Sequence, residues 1–488
     1  MYTIKILPQN KTVAVEKGAN LMAVLREAGT SPEAPCGGKG TCGKCRVLWN
    51  GEEVLACHTA VDRDGTVVLP QKEDTVILTA GAEVQIIPDG TNRYVIAFDI
   101  GTTTVVAYLL EGRTGKHLAG ASCLNPQGEY GADVISRIQH VMTTGTTQLQ
   151  DKIKSALAEL TLEAAEKAGI EPTQIGLGAV VGNTAMHHLL LGIDPTPLTR
   201  PPYMPAVTQA LTLPAKEWLP IDPAGELRIL PNIAGFVGAD TVGCMAATRF
   251  DGREALTLMI DIGTTGEMVL GDKNRRIACS TAAGPAFEGA KISRGMRGAA
   301  GAVDRVWLEN GQLRHHVIGE GKALGLCGSG LLDLVACLLE EEIIAPSGRM
   351  EQSIFTLPGT DVTLTRQDVR EVQLAKAAIR AGIELMCTQL GCGTEDIQRV
   401  LLAGAFGNYM DPGSACRIGM IPPELEQKIR PIGNAAGEGA KLSALDREEF
   451  TYAQELAEHT EFLELASMED FQDRFVDCLL FEEDEDDD

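Results

Sequence analysis

The apolar and polar positions of this chain fall into two kinds of text. Up to about residue 85 the runs are short. Tyr2-Thr-Ile-Lys-Ile-Leu and Thr12-Val-Ala-Val read as a β-hairpin, and Asn20-Leu-Met-Ala-Val-Leu-Arg-Glu-Ala reads as a helix behind it. Thr66-Val-Val-Leu and Val76-Ile-Leu supply the last strands of this part. Ile86-Ile-Pro-Asp-Gly-Thr-Asn-Arg93 is a connection of turn chemistry, too short for a domain of its own. At Tyr94 the runs lengthen: Tyr94-Val-Ile-Ala-Phe-Asp99-Ile-Gly101-Thr102-Thr103-Thr104-Val-Val-Ala-Tyr-Leu-Leu is a strand, a Gly/Thr hairpin turn and a second strand.

That text returns as Thr257-Leu-Met-Ile-Asp261-Ile-Gly263-Thr264-Thr265-Gly266-Glu-Met-Val-Leu. The elements downstream of each copy repeat as well. The first copy continues with a strand (Lys116 to Ser122), a helix (Ala132 to Val141), a strand with a Gly turn (Ile175 to Met186), another strand (Leu227 to Leu230) and a helix (Ala239 to Arg249). The second has Arg276-Ile-Ala-Cys-Ser, helices at Ser329 to Glu341 and Arg366 to Leu390, and a strand with a Gly turn (Ile397 to Gly407). It closes with Ile429-Arg-Pro-Ile and a helix near Ala435 to Ala444. Duplication at this scale predicts two similar lobes facing each other, not a solenoid.

Each hairpin offers backbone N–H groups and hydroxyls beside one carboxylate. That set suits a phosphate with its Mg²⁺: amides and Thr oxygens take phosphate oxygens, and the carboxylate takes the metal, usually through water.

The first part carries different chemistry. Cys36, Cys42, Cys45 and Cys57 are spaced C-x5-C-x2-C-x11-C, with glycines at 37, 38, 40 and 43. Thiolates this close need a strong electrophile to hold them, and the glycines let the backbone wrap around it. A zinc site with four cysteines is one reading, but zinc knuckles show two C-x2-C pairs and this chain has one. Plant-type ferredoxins carry a similar loop, C-x4-C-x2-C with a distant fourth cysteine, around a [2Fe–2S] cluster. Here the first gap is one residue longer and the last is short. The hairpin and helix before it resemble the start of a ferredoxin-like β-grasp.

Composition narrows the picture. The 488 residues suffice for two or three domains, and 53 glycines suit an α/β protein with many tight strand-to-helix turns. A formal charge of −25 argues against nucleic acid or anionic membrane as partner. Part of it sits in Glu482-Glu-Asp-Glu-Asp-Asp-Asp, read as a solvated end. The chain opens directly as a strand, so no signal peptide is expected, and no apolar run reaches the ~18 residues of a membrane span. The other nine cysteines are scattered apart from Cys387 and Cys392, and read as buried thiols of a reducing cytoplasm rather than a second cluster. His187, His188, His315 and His316 read as packing residues, and His58 need not touch the cluster.

Two lobes, two phosphate hairpins and a late Ala-Gly-x-x-Gly turn resemble the ATPase fold shared by actin, sugar kinases and heat-shock chaperones, in which nucleotide lies between the lobes. The resemblance implies that Asp99 with Gly101, Thr102 and Thr103, and Asp261 with Gly263, Thr264 and Thr265, hold the ATP phosphates and Mg²⁺. It implies that Gly404 to Gly407 packs against the adenosine, and it makes Asp240 a candidate base that positions water.

Narrower text resembles the reductive activators of corrinoid proteins, which join an N-terminal [2Fe–2S] ferredoxin domain to an ATPase of this superfamily. It comprises Gly182-Asn-Thr-Ala-Met-His-His, Ala283-Gly284-Pro-Ala-Phe-Glu-Gly, Gly325-Leu-Cys-Gly328-Ser329-Gly-Leu-Leu-Asp333, Gln373-Leu-Ala-Lys-Ala-Ala-Ile-Arg-Ala-Gly382 and Leu402-Ala-Gly404-Ala-Phe-Gly407-Asn408. The likeness covers nearly the whole chain in the same order. Gly284 to Glu288 is either a tight turn with a capping glutamate or, as the family implies, part of the phosphate cleft. Gly328-Ser329-Gly330 reads as a helix N-cap, and a helix start also holds anions. Two departures stand out: residues 86–93 leave no room for the linker and middle domain of larger members, and the second hairpin reads Gly-Thr-Thr-Gly where Gly-Thr-Asn-Gly is expected.

The expected fold is therefore α/β: an N-terminal β-grasp [2Fe–2S] ferredoxin domain (1–88), then a duplicated ribonuclease-H-like, actin-like ATPase with lobe I at 92–252 and lobe II at 253–478, and an acidic tail (479–488). The resemblance implies ATP-dependent one-electron reduction of a corrinoid protein of a methyltransferase system, Co(II) to Co(I). The cofactors would be the cluster, ATP and Mg²⁺. An upstream low-potential electron donor and a homodimer complete the expected partners, in the cytoplasm. Plant-type clusters sit near roughly −400 mV, so the cluster alone falls short of a low-potential Co(I) couple. A nucleotide favouring one conformation ~10⁴-fold supplies about 5.5 kcal/mol, enough for a gap on the order of 200 mV. Two rivals remain: an ATP-driven electron donor to an acyl-CoA dehydratase or ring reductase, and a non-redox kinase-like ATPase with a regulatory metal site.

Overall fold

The computed structural model describes residues 1–30, 32, 34, 45–69, 86–263, 265–289 and 291–481. Cys36, Cys42, Thr264 and the strand expected at Val76-Ile-Leu lie outside the described residues.

The N-terminal unit is a five-stranded mixed sheet in the order β2-β1-β5-β3-β4. Its strands are β1 (Tyr2–Leu7), β2 (Lys11–Val15), β3 (Arg46–Trp49), β4 (Glu52–Leu55) and β5 (Gly65–Val68). Helix α1 (Leu21–Glu27) is capped by the Asn20 side chain and buries Leu21, Met22, Val24 and Leu25 against the sheet. The alternation in Tyr2–Leu7 does this work: Ile4 and Ile6 face the core while Thr3 and Lys5 face water.

The first lobe has strands β6 (Tyr94–Ile100), β7 (Thr104–Glu111), β8 (His117–Leu124), β9 (Ile175–Gly182), β10 (Leu211–Pro214) and β11 (Glu226–Ile229), in the order β10-β11-β9-β6-β7-β8. Its helices are α2 (Val134–Thr144), α3 (Thr147–Ala168), α4 (Thr184–Leu191) and α5 (Ala239–Thr248). The second lobe repeats the plan. Strands β12 (Thr257–Ile262), β13 (Gly266–Gly271) and β14 (Arg276–Thr281) are followed by an inserted group, β15 (Ala302–Glu309), β16 (Gln312–Val317) and β17 (Gly325–Leu326). Then come α6 (Gly328–Glu340), the small hairpin β18 (Ile354–Thr356) and β19 (Thr363–Thr365), and α7 (Arg366–Leu390). The lobe ends with β20 (Arg399–Ala403), α8 (Gly404–Tyr409), α9 (Pro412–Arg417), β21 (Ile429–Gly433), α10 (Ala435–Leu445), α11 (Arg447–Glu458), β22 (Glu461–Phe462) and α12 (Phe471–Asp477). Its main sheet runs β21-β20-β12-β13-β14-β22, so β8-β7-β6-β9-β11 and β14-β13-β12-β20-β21 are the same five-strand order.

This is the expected duplicated ribonuclease-H-like architecture. The apolar runs of β6, β9, β12 and β20 are nearly continuous because each sheet is covered on both faces. One core lies under α3 and α4, another under α6 and α7, and a third, between the sheets, joins Val95, Val106 and Tyr108 to Met259, Val269 and Ala278 through α5 and α10. There the two helices touch backbone to backbone: a Cβ on Gly439 would sit 2.3 Å from the Cα of Gly243.

Two expectations are corrected. Residues 479–481, assigned to the acidic tail, are seated on lobe II, and the run 482–488 read as solvated lies outside the described residues. Phe481 is buried, its N–H donates to Pro346 O (2.8 Å), and buried Lys376 donates to Leu480 O. An apolar Phe has more to gain from this groove than from water. Ser329 does not cap α6: the cap residue is Cys327, and the Ser329 hydroxyl donates to Asp304 O instead (2.7 Å). Among the described residues, no helix is long and apolar enough to cross a membrane.

Candidate functional site

Asp99 and Asp261 end β6 and β12, where each strand turns into its hairpin. The turns differ by one residue. In the first, Ile100 pairs with Val105 and Gly101 N–H donates to Thr104 O; in the second, Ile262 pairs with Gly266 and Gly263 N–H donates to Thr265 O. The shorter loop shifts the register, so Glu267 stands opposite Asp261 where Val106 stands opposite Asp99. Cross-strand partners share a face. Glu267 therefore joins the carboxylates between the lobes.

Asp240, in the first turn of α5, completes the group. Burial raises Asp99 to about 6, against a hydrogen bond from Asn434 Nδ2 (2.8 Å). Burial, then the Asp99 charge, raises Asp261 to about 6. Burial, then Asp261, raises Asp240 to about 7, and burial followed by Asp240 pushes Glu267 well above the carboxylate range. The three aspartates nevertheless open partly onto the cleft. Four acids driven upward in one place form a site short of positive charge, and a divalent cation bound with phosphates fits that deficit. Among the described residues no three of them close into a preformed metal cage.

The hairpins are held from behind. The carbonyls of Gly101 and Thr103 accept from Asn125 (2.8 Å each), and that of Thr102 accepts from the buried Arg137 guanidinium. Asn183, the cap of α4, donates to the Thr102 hydroxyl (2.9 Å). Thr265 Oγ1 bonds Glu267. Gly404 has φ +78, and a Cβ there would lie 2.6 Å from Asp261 Oδ1, so only glycine lets the chain pass this carboxylate. The turn expected from Gly404 to Gly407 is the start of α8, whose Phe406 stacks on Phe287 at 4.8 Å. A Cβ on Gly328 would meet Phe287 O at 2.1 Å, so Gly284–Glu288 and the start of α6 are in direct contact. Gly284 has φ +75, and no atom of the described residues lies within 4 Å of a Cβ placed there.

Asn125, Arg137, Asn183, Glu267 and Asn434 were not singled out from sequence, although Asn183 stands within the Gly182-Asn-Thr-Ala-Met motif. Asn434 caps α10 (Gly437 N–H to Oδ1, 2.9 Å) and bonds both Asp99 and Tyr108, so it reaches from lobe II into lobe I. His188 is a structural residue, between Thr184 O (2.7 Å) and Ala206 N–H (2.9 Å). His187 is buried with no hydrogen-bond partner among the described residues, its ring centre 5.6 Å from that of His188.

In the N-terminal unit, Cys45 and Cys57 bring their sulfurs to 3.2 Å. Cys45 precedes β3, and Cys57 sits in a 3₁₀ turn whose Ala56 N–H donates to Cys45 O (2.9 Å). Two converging sulfurs fit two ligands on one metal atom. Cys387 and Cys392 also interact through their thiols, and the Cys392 thiol lies 3.6 Å from the Cys387 carbonyl.

A ferredoxin-like sheet with paired thiols, joined to two ribonuclease-H-like lobes around a carboxylate cleft, defines an iron–sulfur ATPase. Residues 4–69 match the 2Fe-2S iron-sulfur cluster binding domain, residues 94–253 the RACo middle region, and residues 255–487 the C-terminal, ASKHA domain of RACo. The chain is 36% identical over 439 residues to the corrinoid activation enzyme RamQ of Eubacterium limosum, covering 83% of this chain and 74% of the relative. It is 30% identical over 275 residues, 51% of each chain, to the [Co(II) methylated amine-specific corrinoid protein] reductase of Methanosarcina barkeri. A solved structure of a reductive activator for corrinoid,iron-sulfur protein superposes with a TM-score of 0.72 at 29% identity, covering 99% of this chain and 98% of that one. The chain belongs to this RACo family of reductive activators of corrinoid proteins. The expectation that it lacks the middle part is corrected: the region so described is lobe I itself.

Proposed function

We propose that the chain delivers one electron from its N-terminal [2Fe–2S] cluster to the cobalt of a corrinoid protein, Co(II) to Co(I), at the expense of ATP bound between the lobes. The observation that carries this reading is the union on one chain of the Cys45–Cys57 thiol pair with the Asp99, Asp240 and Asp261 cleft. The cluster, held by these two cysteines with Cys36 and Cys42, supplies a one-electron carrier. The rest is work for the protein. Asn125 and Arg137 occupy the hairpin carbonyls, which leaves the opposite edge of the turn for phosphate oxygens. Asp99 and Asp261 would hold the Mg²⁺, whose charge would offset the raised proton affinity of the two carboxylates. Asp240, held by the Thr241 N–H (2.8 Å), orients the attacking water. Asn434 ties Asp99 to the head of α10, so a change at the phosphates moves a helix shared by both lobes.

The test mixes pre-reduced protein with a Co(II) corrinoid protein, with and without Mg²⁺-ATP, and follows Co(I) absorbance. Co(I) should accumulate only with Mg²⁺-ATP, and not with the full-length Cys45→Ser variant. Equal Co(I) without ATP defeats the ATP-coupled reading. ATP hydrolysis with no Co(I) at any ratio points to another low-potential acceptor.

A further inference from the structure

The turn between β8 and α2, Asn125–Gly131, touches two parts of the molecule at once. Its inner side holds the first hairpin. Asn125 donates to Gly101 O and Thr103 O, and Arg137 bridges the turn to the hairpin, donating through Nε to Gly131 O (2.9 Å), through Nη1 to Gln127 Oε1 (3.3 Å) and through Nη2 to Thr102 O. Three consecutive hairpin carbonyls are thus tied to one turn. Gln127 is itself fixed by its amide on Leu149 O (2.9 Å), so the turn has little freedom to move independently.

Its outer side meets the N-terminal unit. The Arg26 guanidinium, at the end of α1, donates to Glu129 O and lies 5.5 Å from the centre of the Tyr130 ring. Glu129 is anchored by Lys152 (3.0 Å), and Tyr130 packs on His140 of α2 (4.6 Å between ring centres). At the other end of α1, the capping Asn20 donates to Cys57 O (2.9 Å). A continuous series of bonds therefore runs from the backbone of Cys57 through α1 and the turn to the phosphate hairpin.

We propose that the Asn125–Gly131 turn couples the first phosphate hairpin to the seating of the cluster domain, with Arg26 and Arg137 as positioning residues for electron delivery. The inference rests on the proposed binding of nucleotide at the hairpins. A phosphate drawn to the hairpin N–H groups shifts the peptide planes whose carbonyls Asn125 and Arg137 hold. The shift reaches Glu129 O and Tyr130, the two groups that Arg26 grips. Burial draws Arg137 down to about 9, so it stays charged near neutrality and the link is a charge-assisted one. Coupling is reciprocal: if nucleotide changes the seating of α1, losing that seating changes nucleotide affinity by the same factor.

The experiment is amide hydrogen exchange on the full-length, cluster-loaded protein, with and without a non-hydrolysable ATP analogue and Mg²⁺, together with the analogue's Kd. In the wild-type chain, exchange should change at Asp99–Thr104, at Asn125–Gly131 and at Leu21–Glu27. In Arg26→Ala, and independently in Tyr130→Leu, the hairpin should still respond and α1 should not. The analogue's Kd should move by a factor within the ~5- to 150-fold range of such couplings. Arg26→Lys keeps the charge without the fork and should restore part of the α1 response. An α1 that ignores nucleotide in the wild-type chain while the hairpin responds overturns the coupling and leaves the ATP reading intact. The same holds if both variants keep the wild-type response and Kd. A wild-type hairpin indifferent to the analogue overturns both.

Discussion

Asp261 shows at the level of one residue what the proposed nucleotide site costs the fold. Its carboxyl is raised to about 6, so ionising it costs the empty protein stability as pH climbs from the unfolded value of 3.8 towards 6. Asp261→Asn removes that cost. The variant should be more stable than wild type at pH 7.5 without nucleotide, by up to roughly 3 kcal/mol, and nearly equal at pH 4. Its Mg²⁺-ATPase turnover should fall on the order of 100-fold or more. Denaturant melts at the two pH values and steady-state hydrolysis check both halves; wild-type turnover would remove Asp261 from the site. His187 gives the opposite sign. Burial holds it down at about 3, so its contribution is present above the unfolded pKa of 6.5 and lost as pH falls from 6.5 towards 3. At pH 5.5 the loss is about 1.4 kcal/mol, and His187→Leu, among Ile100, Val180, Val181 and Ile229, should flatten the stability profile between pH 7.5 and 5.5 by that amount. Neither behaviour was legible in the sequence. Asp99, Asp240 and Asp261 could be read there as acids beside turns, but their mutual repulsion depends on distances that only the paired lobes create. Asn434 was invisible for the same reason: it acts on a residue more than three hundred positions away.

At the scale of elements the sequence was far more open. Apolar strands leading into Asp-Ile-Gly-Thr-Thr announced both hairpins, and α7 is the span the periodicity predicts, because these elements bury a regular face. Helix α3 went unread, since its polar face interrupts the text and its apolar positions are spread over 22 residues. The register of the hairpins was equally hidden. The shared Asp-Ile-Gly-Thr-Thr closes one loop a residue earlier than the other, because Ile262 pairs with Gly266 where Ile100 pairs with Val105, one position beyond Thr104. The α5–α10 crossing is also a matter of register. Gly243 and Gly439 meet with no room for a side chain. Gly439→Ala should force the helices apart at a cost of about 1–3 kcal/mol. Because Asn434 heads the same helix, the variant should also raise the KM for Mg²⁺-ATP. A thermal melt and a KM measurement separate this from a simple loss of fold, and an unchanged KM in a destabilised variant would detach α10 from the nucleotide.

Taken whole, the molecule places a small electron-carrying unit on one lobe of an ATPase, and both units are built from text that can be read separately. What sequence could not supply is their contact, because Arg26, Glu129 and Tyr130 belong to no motif. Full-length Cys57→Ser should lose the iron and sulfide of the purified protein and its Co(I) yield while keeping basal ATP hydrolysis within a few-fold. Zinc in place of iron would reassign the cysteines. The one-residue difference between the two hairpins bears on the molecule as a whole. A faithfully duplicated pair of lobes would be related by a twofold axis through the cleft, and a ligand could enter in either of two equivalent ways. With Glu267 facing one carboxylate and Val106 facing the other, the axis is only approximate, and the two walls of the cleft differ in charge. A long, unsymmetrical ligand would therefore meet a different wall at each of its ends.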